Sequence, residues 1–167
     1  MILCDRDLRT LLDDGFLTPA DENLINPASI DVRLGTSIRR EMGHGTFVTS
    51  NLAADESVEV QPGEFILIST MEMLHVPLNC GCDLRLKSTS ARSGWNAALA
   101  FWLDPGYQGR PTMELQNMLR YNTLTLAPGV RFAQAVVHRL SGQAVKPYAG
   151  RYQGDMAVSG AKAGTGP

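Results

Sequence analysis

The sequence predicts a mostly β protein with one short N-terminal helix. Short apolar or alternating runs recur along the chain and are separated by turn signals such as Asn-Pro, Pro-Gly and Asp-Pro-Gly. Strands at this spacing are typical of an antiparallel barrel or sandwich. The predicted strands are SIDVRLG (29–35), SVEV (57–60), EFILIST (64–70), CDLRL (82–86), AALAFWL (97–103), TMELQN (112–117) and FAQAVVHRL (132–140).

The helix is predicted over residues 6–14. Leucines recur there at helical spacing and form one apolar face. Asp5 is placed to cap the first turn, and Gly15 is placed to end the helix. No other segment of the sequence combines this periodicity with start and stop signals.

The composition predicts an ordinary one-domain protein. The chain has 167 residues, of which 44% are apolar and 19% charged. The net charge of −2 and the scattered basic residues give no general attraction to nucleic acid or to an anionic membrane. No apolar run is long enough to span a bilayer, and charge appears too early for a signal peptide, so a cytoplasmic location is expected.

The cysteines favour burial in a strand over a disulfide or a metal site. Cys80 and Cys82 are separated by one residue, which is too close for an ordinary disulfide framework. The three histidines show no paired-ligand spacing around them.

A carboxylate occupies one face of the predicted strand 112–117. The period of two places Met113 and Leu115 on one face, and Thr112 and Glu114 on the other. An exposed strand face explains a lone glutamate equally well, because most strand glutamates are solvated.

A second polar segment, KSTSAR (87–92), follows the strand that ends at Leu86. It offers backbone amides, hydroxyls and two cations, which together can bind the oxygens of a phosphate. It is not a Walker loop, which would need GxxxxGK[ST]. A polar turn whose hydroxyls cap neighbouring backbone groups is the alternative.

Six blocks, taken together, resemble the dCTP deaminase branch of the dUTPase-like superfamily. They are INPASIDVRLG, PGEFILIST, LKSTSARSG, LDPGYQGRPTMELQN, LAPGVRFAQ and KPYAGRYQGD, and the match runs over about residues 1–155. The resemblance implies a distorted β-barrel of jelly-roll type, assembled as a homotrimer with active sites between subunits. Residues 1–155 would form the domain, and residues 156–167, rich in Gly and Ala, a flexible tail.

The resemblance also assigns roles to individual residues. Glu114 resembles the catalytic glutamate that activates the attacking water and shuttles its proton. Arg92 resembles the arginine that supports this chemistry, and Ser88 the serine beside the cytosine amino group. The substrate-binding positions implied are Lys87, Ser88, Thr89, Ser90, Ala91, Arg92, Ala100, Asp104, Thr112, Met113, Tyr148, Arg151 and Asp155.

Three positions depart from the family pattern. Leu99 stands where a threonine is frequent, and Arg151 stands where a lysine is usual. Asp155 replaces a glutamine that helps to hold phosphate, and a carboxylate beside phosphate is unfavourable.

The implied reaction is zinc-independent deamination of a cytosine deoxynucleotide, dCTP + H2O giving dUTP + NH3. The sequence lacks the H-x-E and P-C-x-x-C signature of zinc deaminases. Mg²⁺ is expected with the triphosphate rather than in a protein cage. Two alternatives stay open: a dUTP pyrophosphatase or bifunctional enzyme, in which Asp104 directs water at the α-phosphate, and a nucleotide-binding homologue without turnover.

Overall fold

The computed structural model describes residues 1–97 and 102–163. The helices are α1 (Asp5–Asp13) and α2 (Ser88–Arg92), with a 3-10 turn at Glu22–Leu24. The strands are β1 (Leu17–Thr18), β2 (Ile25–Asn26), β3 (Ser29–Glu41), β4 (Phe47–Asn51), β5 (Val58–Val60), β6 (Phe65–Thr70), β7 (Met73–His75), β8 (Cys80–Leu86), β9 (Trp95–Ala97), β10 (Trp102–Leu103), β11 (Gln108–Gly109), β12 (Thr112–Asn117), β13 (Leu124–Leu126) and β14 (Arg131–Arg139).

The strands form one large antiparallel sheet and two small ones. The main path runs β10-β8-β14-β3-β6-β12-β9, with β2 and β4 paired to β3. The smaller sheets are β1-β7-β11 and β13-β5. Because β3 pairs with β14 through its first half and with β6 and β4 through its second, the main sheet curls around the core. The expected mostly β antiparallel fold is therefore confirmed.

The predicted N-terminal helix is present, with one correction. Gly15 follows it with a φ of +86°, and its amide bonds the carbonyl of Leu12, as expected of a residue that ends a helix. The N-cap, however, is Cys4 and not Asp5, which already belongs to the first turn. Leucines of α1 are buried against the sheet, so packing rather than a side-chain cap stabilises this helix.

The longer predicted strands are confirmed, as is the short β5, predicted over residues 57–60, whereas other short strands were missed. The runs ending at Thr70, Leu86, Asn117 and Leu140 correspond to β6, β8, β12 and β14. Strands of two to five residues, such as β4, β7 and β13, carry too few residues to show a period. The predicted strand 97–103 is described only at its ends, because residues 98–101 lie outside the described part.

The cysteine prediction is confirmed. Cys80 and Cys82 are free and buried on β8. Burial raises the pKa of both thiols, since a thiolate would lose its hydration there.

A close approach between β3 and β6 requires glycine at residue 35. A Cβ on Gly35 would lie 2.6 Å from the carbonyl oxygen of Thr70 and 2.9 Å from that of Ser69. The register between the two strands also shifts between Leu34 and Ile38. Gly35 therefore marks the irregularity at which β3 turns from one pairing partner to the other.

We expect Gly35→Ala to lower the free energy of unfolding by between about 1 and 3 kcal/mol, because the clash is with backbone on the neighbouring strand. Urea denaturation measures the change. Gly142→Ala is the matched control, since a Cβ there meets nothing within 4 Å. Equal losses in both variants would contradict the explanation.

Candidate active site

One cavity of about 590 Å³ lies over the face of the main sheet that turns away from the core. Strands β3, β6 and β12 form its floor, and residues 148–161 contribute to its wall. Its lining residues are Arg39, Phe47, Phe65, Leu67, Trp102, Leu103, Asp104, Tyr107, Arg110, Pro111, Thr112, Glu114, Tyr148, Tyr152, Asp155, Ser159, Gly160 and Ala161.

Strand alternation places Glu114 on the cavity side. Met113 and Leu115 are 1% and 0% exposed and pack into the core, which confirms the predicted division of faces. Glu114 and Arg39 each pair with Leu67 in register, so the three residues form one row across neighbouring strands. The side chain of Met113, one of the implied substrate-binding positions, points into the core.

Glu114 is half-buried, and its environment favours the protonated form. Its Oε2 is buried and has no hydrogen-bond partner within residues 1–97 and 102–163. Burial raises the pKa of Glu114, and a bond with its own backbone amide opposes this only in part. A carboxyl group with a raised pKa in such a place can both accept and return a proton.

Two further buried polar atoms in the same cavity have no partner. They are Nε of Arg110 and Oδ2 of Asp155, and together with Glu114 Oε2 they complete the set found in the described part of the chain. Buried polar groups are almost always hydrogen-bonded, so unpaired groups that collect in one cavity point to a bound polar ligand.

Asp104 lies at the side of the cavity and is oriented by Trp102. The indole Nε1 of Trp102 donates to Oδ1 of Asp104 at 2.9 Å. The indole ring lies against the backbone of Gly81, where a side chain would leave no room for it. One oxygen of Asp104 is thus held, and the other can serve a ligand.

Two tyrosines join this side of the cavity to the C-terminal segment. The rings of Tyr107 and Tyr148 are 5.7 Å apart. Burial raises the pKa of the Tyr107 hydroxyl, and the nearby carboxylate of Asp155 raises it further, so Tyr107 stays protonated.

Residues 153–155 run alongside β11 and are joined to it and to Arg110 by backbone hydrogen bonds. The amide of Arg110 donates to the carbonyl of Asp155 at 2.7 Å, and that of Gly154 to the carbonyl of Gln108 at 2.8 Å. Gly109 permits this approach, because a Cβ there would lie 2.9 Å from the Asp155 carbonyl oxygen.

The carboxylate of Asp155 is neutralised within the chain. Lys162 Nζ lies 2.5 Å from Asp155 Oδ1 and also donates to the carbonyl of Arg151 at 2.9 Å. Arg151 in turn donates to the carbonyl of Lys162 at 3.1 Å. The unfavourable charge expected for Asp155 beside phosphate is therefore offset by a lysine that sequence reasoning did not single out.

Residues 156–163 cross the cavity face. The amide of Val158 donates to Ser37 Oγ at 3.2 Å, and that of Ser159 to Thr112 Oγ1 at 3.1 Å. The flexibility of residues 156–167 stays a prediction, but the described part of this segment contacts the floor of the cavity.

Residues Ser88–Arg92 form α2 and not the polar turn that was the alternative to a phosphate-binding segment, so the expectation of a single helix was wrong. None of its residues lines the cavity. It lies near the far end of β12, where the amide of Met118 donates to the carbonyl of Gly94. Ser88, Thr89, Ala91 and Arg92 are exposed, whereas Ser90 is buried with its hydroxyl donating to the carbonyl of Phe132.

Lys87 is held by a buried carboxylate. Its Nζ lies 2.6 Å from both oxygens of Asp31, whose side chain is 2% exposed. Asn26 donates to the same carboxylate at 2.8 Å. Within one chain, Lys87 therefore anchors the start of α2.

The predicted site is thus divided. Glu114, Asp104, Thr112, Tyr148 and Asp155 line one cavity, whereas Lys87 to Arg92 do not. Leu99 and Ala100 lie outside the described residues. The sequence analysis missed several lining residues, including Arg39, Trp102, Tyr107 and Arg110. Of these four, only Arg110 carried a usable signal, since it falls on the same period-two face as Thr112 and Glu114.

The described residues contain neither a candidate metal cluster nor a helix that could span a membrane. No group of three or more His, Cys, Asp or Glu side chains is placed to hold a metal ion there. In the same part of the chain, no helix has the length and apolar character needed to cross a membrane.

The fold and site define an antiparallel β protein with a polar ligand cavity on its main sheet. The family model described as dCTP deaminase-like matches residues 2–140. The chain belongs to this family, and the resemblance seen in the six sequence blocks is confirmed.

Named relatives agree with membership of this family, and a solved structure shares the fold. A protein of Thermobifida fusca named "dCTP deaminase, dUMP-forming" is 36% identical, covering 92% of this chain and 88% of its own. A protein of the same name from Corynebacterium glutamicum is 34% identical, covering 98% and 96%. The crystal structure of 2'-deoxycytidine 5'-triphosphate deaminase from Agrobacterium tumefaciens matches with a TM-score of 0.68 at 23% identity, covering 81% of this chain and 47% of that one, and supports the fold.

We expect Lys87→Met to lower the free energy of unfolding by about 3 kcal/mol, because it leaves the buried Asp31 carboxylate without its nearest cation. Chemical denaturation measures the loss. Arg85→Met is the control: its partner Asp83 lies 3.1 Å away in an exposed pair, for which at most about 1 kcal/mol is expected. Losses of equal size would contradict an anchoring role for Lys87.

Proposed function

We propose that this protein deaminates dCTP and releases dUMP. The observation that carries the proposal is the half-buried Glu114, with an unpaired carboxylate oxygen facing the cavity. The names of the relatives support both the substrate and the product, and dUMP takes the place of the dUTP implied by the sequence resemblance alone.

Glu114 would act as base and then as acid. It accepts a proton from water as the oxygen attacks the ring carbon that bears the amino group. It then delivers that proton to the adjacent ring nitrogen. In a second transfer it moves the remaining proton of the added hydroxyl to the amine, so that the carbonyl forms, the C–N bond breaks and ammonia leaves. Positioned acid–base groups of this kind contribute roughly 10²–10⁴-fold to the rate. A raised pKa makes the carboxylate a stronger base toward water, and the proton it takes up is then available for the acid step.

The remaining assigned groups would surround the nucleotide. Asp104 and Thr112 lie on the cavity side with Glu114, and Tyr148 lies on the wall formed by the C-terminal segment. Mg²⁺ would arrive as part of the Mg–triphosphate substrate. In the cavity, Asp155 is already paired with Lys162, and Asp104 accepts from Trp102. Because both carboxylates already have partners, they are less available as metal ligands. This favours a metal held mainly by phosphate and water.

A homotrimer would bring the divided site together. Arg92 and Ser88 are exposed on α2 and do not line the cavity of their own chain. If the active site lies between subunits, α2 of one subunit supplies Arg92 and the hydroxyls of its segment to Glu114 of another. Arg92 would then stabilise the charge that develops when water attacks.

Formation of dUMP requires a second hydrolysis. After deamination, water attacks the α-phosphorus, and pyrophosphate leaves. Asp104 is the residue we assign to orient this water, because Trp102 fixes one of its oxygens and its position lies beside the cavity. One active site would thus perform both reactions on a nucleotide that stays bound.

We expect Glu114→Gln to lower ammonia release from dCTP by at least about 10²-fold, since an amide cannot accept the proton of water. The melting temperature should not fall, because a neutral side chain suits a buried position at least as well as a carboxylate. Ammonia assays and thermal denaturation measure the two effects. Glu59→Gln, on the exposed face of β5, is the control and should retain activity.

The products of wild-type turnover with Mg²⁺ decide among the alternatives. Ammonia and pyrophosphate in equal amounts, together with dUMP, support the proposal. Ammonia with dUTP alone removes the second step, pyrophosphate from dUTP without ammonia from dCTP indicates a pyrophosphatase, and binding without product indicates a homologue that lacks turnover.

The rate should depend on pH through Glu114. Because burial raises its pKa, we expect the acid limb of kcat/KM to lie above the ordinary pKa of a glutamate, with activity lost as pH falls and Glu114 becomes protonated. Initial rates of ammonia release over a range of pH measure the limb. A limb at the ordinary glutamate value, or below it, would contradict the assignment.

A further inference from the structure

Arg110 has a buried donor that the fold leaves unused. Its amide bonds the carbonyl of Asp155, and Nη1 lies 3.5 Å from the carbonyl of Met156. Its Nε is buried and has no partner in the described residues, although Arg110 lines the cavity. Bracing of the C-terminal segment therefore accounts for two of its groups and leaves Nε unexplained.

The position of Arg110 separates it from the acid–base group. Arg110 and Glu114 are four residues apart on a nearly extended stretch, so their Cα atoms are at most about 14 Å apart. Thr112 lies between them on the same cavity side. An elongated ligand lying along this stretch would therefore meet Glu114 at one end and Arg110 at the other.

The charge around Arg110 favours an anionic group at its end. Arg151 and Lys162 are linked there by reciprocal bonds to each other's carbonyls, and Lys162 also pairs with Asp155. Asp155 is the only acidic residue in 148–163. Arg110 and residues 148–163 together therefore contain three cations and one carboxylate, and this set carries a net positive charge.

We propose that Arg110 is a substrate-binding residue that donates from Nε to a phosphate oxygen of the nucleotide. The assignment rests on the proposed function, since it places the base at Glu114. A guanidinium bonded to a phosphate oxygen makes a charge-assisted hydrogen bond, which is stronger than a neutral one. The same bond supplies the partner that the buried Nε lacks.

The role of Arg110 is tested by measuring the binding of two ligands. Each variant is made in a Glu114→Gln background, called the parent, so that dCTP is not consumed. Calorimetry gives the dissociation constants of dCTP with Mg²⁺ and of deoxycytidine, which has no phosphate. Arg110→Gln should weaken dCTP binding by about tenfold or more and leave deoxycytidine binding unchanged. Arg110→Lys, which keeps the charge, should weaken dCTP binding less.

Arg9→Gln, an exposed substitution on α1, is the control and should change neither constant. Equal weakening of dCTP and deoxycytidine in Arg110→Gln would show that Arg110 only braces the C-terminal segment. Unchanged dCTP binding would also overturn the inference. Failure of wild type and parent alike to bind dCTP would instead remove the proposed function and, with it, the inference that rests on it.

Discussion

The removal of the Glu114 carboxylate from water is the constraint on which the site depends. Strand alternation gives β12 one face for the core and one for the cavity, and Leu67 and the C-terminal segment reduce the solvent around the second face. A carboxylate on an open sheet would stay ionised and solvated. Here burial raises its pKa, and the same desolvation suits the acid–base role that we propose for it.

The cavity concentrates unsatisfied polar groups that an ordinary core excludes. The buried unpaired atoms of Arg110, Glu114 and Asp155 all lie in it. Leaving such groups without partners costs stability, because each has lost its bonds to water. A ligand that restores these bonds regains part of that cost, so binding energy and specificity arise from the same atoms.

The charged side chains at the two ends of the cavity differ. Glu114 borders the apolar side chains of Phe65 and Leu67, with Arg39 beyond Leu67 in the same row. At the other end, Lys162 pairs with Asp155, to whose carbonyl the amide of Arg110 also donates. Local positive charge of this kind would allow a protein of net charge −2 to bind the proposed nucleotide.

The sequence by itself determined the mostly β fold, the two faces of β12 and the family. Periodicity settles the faces because side chains alternate strictly along a strand. The six sequence blocks that resemble the family point to Glu114, Asp104 and Tyr148 as site residues. The structure places all three at the cavity. Short strands such as β7 and β13 could not be predicted, because two or three residues form a strand only when a neighbour pairs with them.

The tertiary structure alone decided which charges meet. Lys87 faces Asp31 across 56 positions in sequence, and Trp102 orients Asp104 only because its ring fits against Gly81. The pairing of Asp155 with Lys162 likewise depends on how the chain folds back over the cavity. Such contacts arise from chain geometry between distant segments, and local propensity carries no information about them.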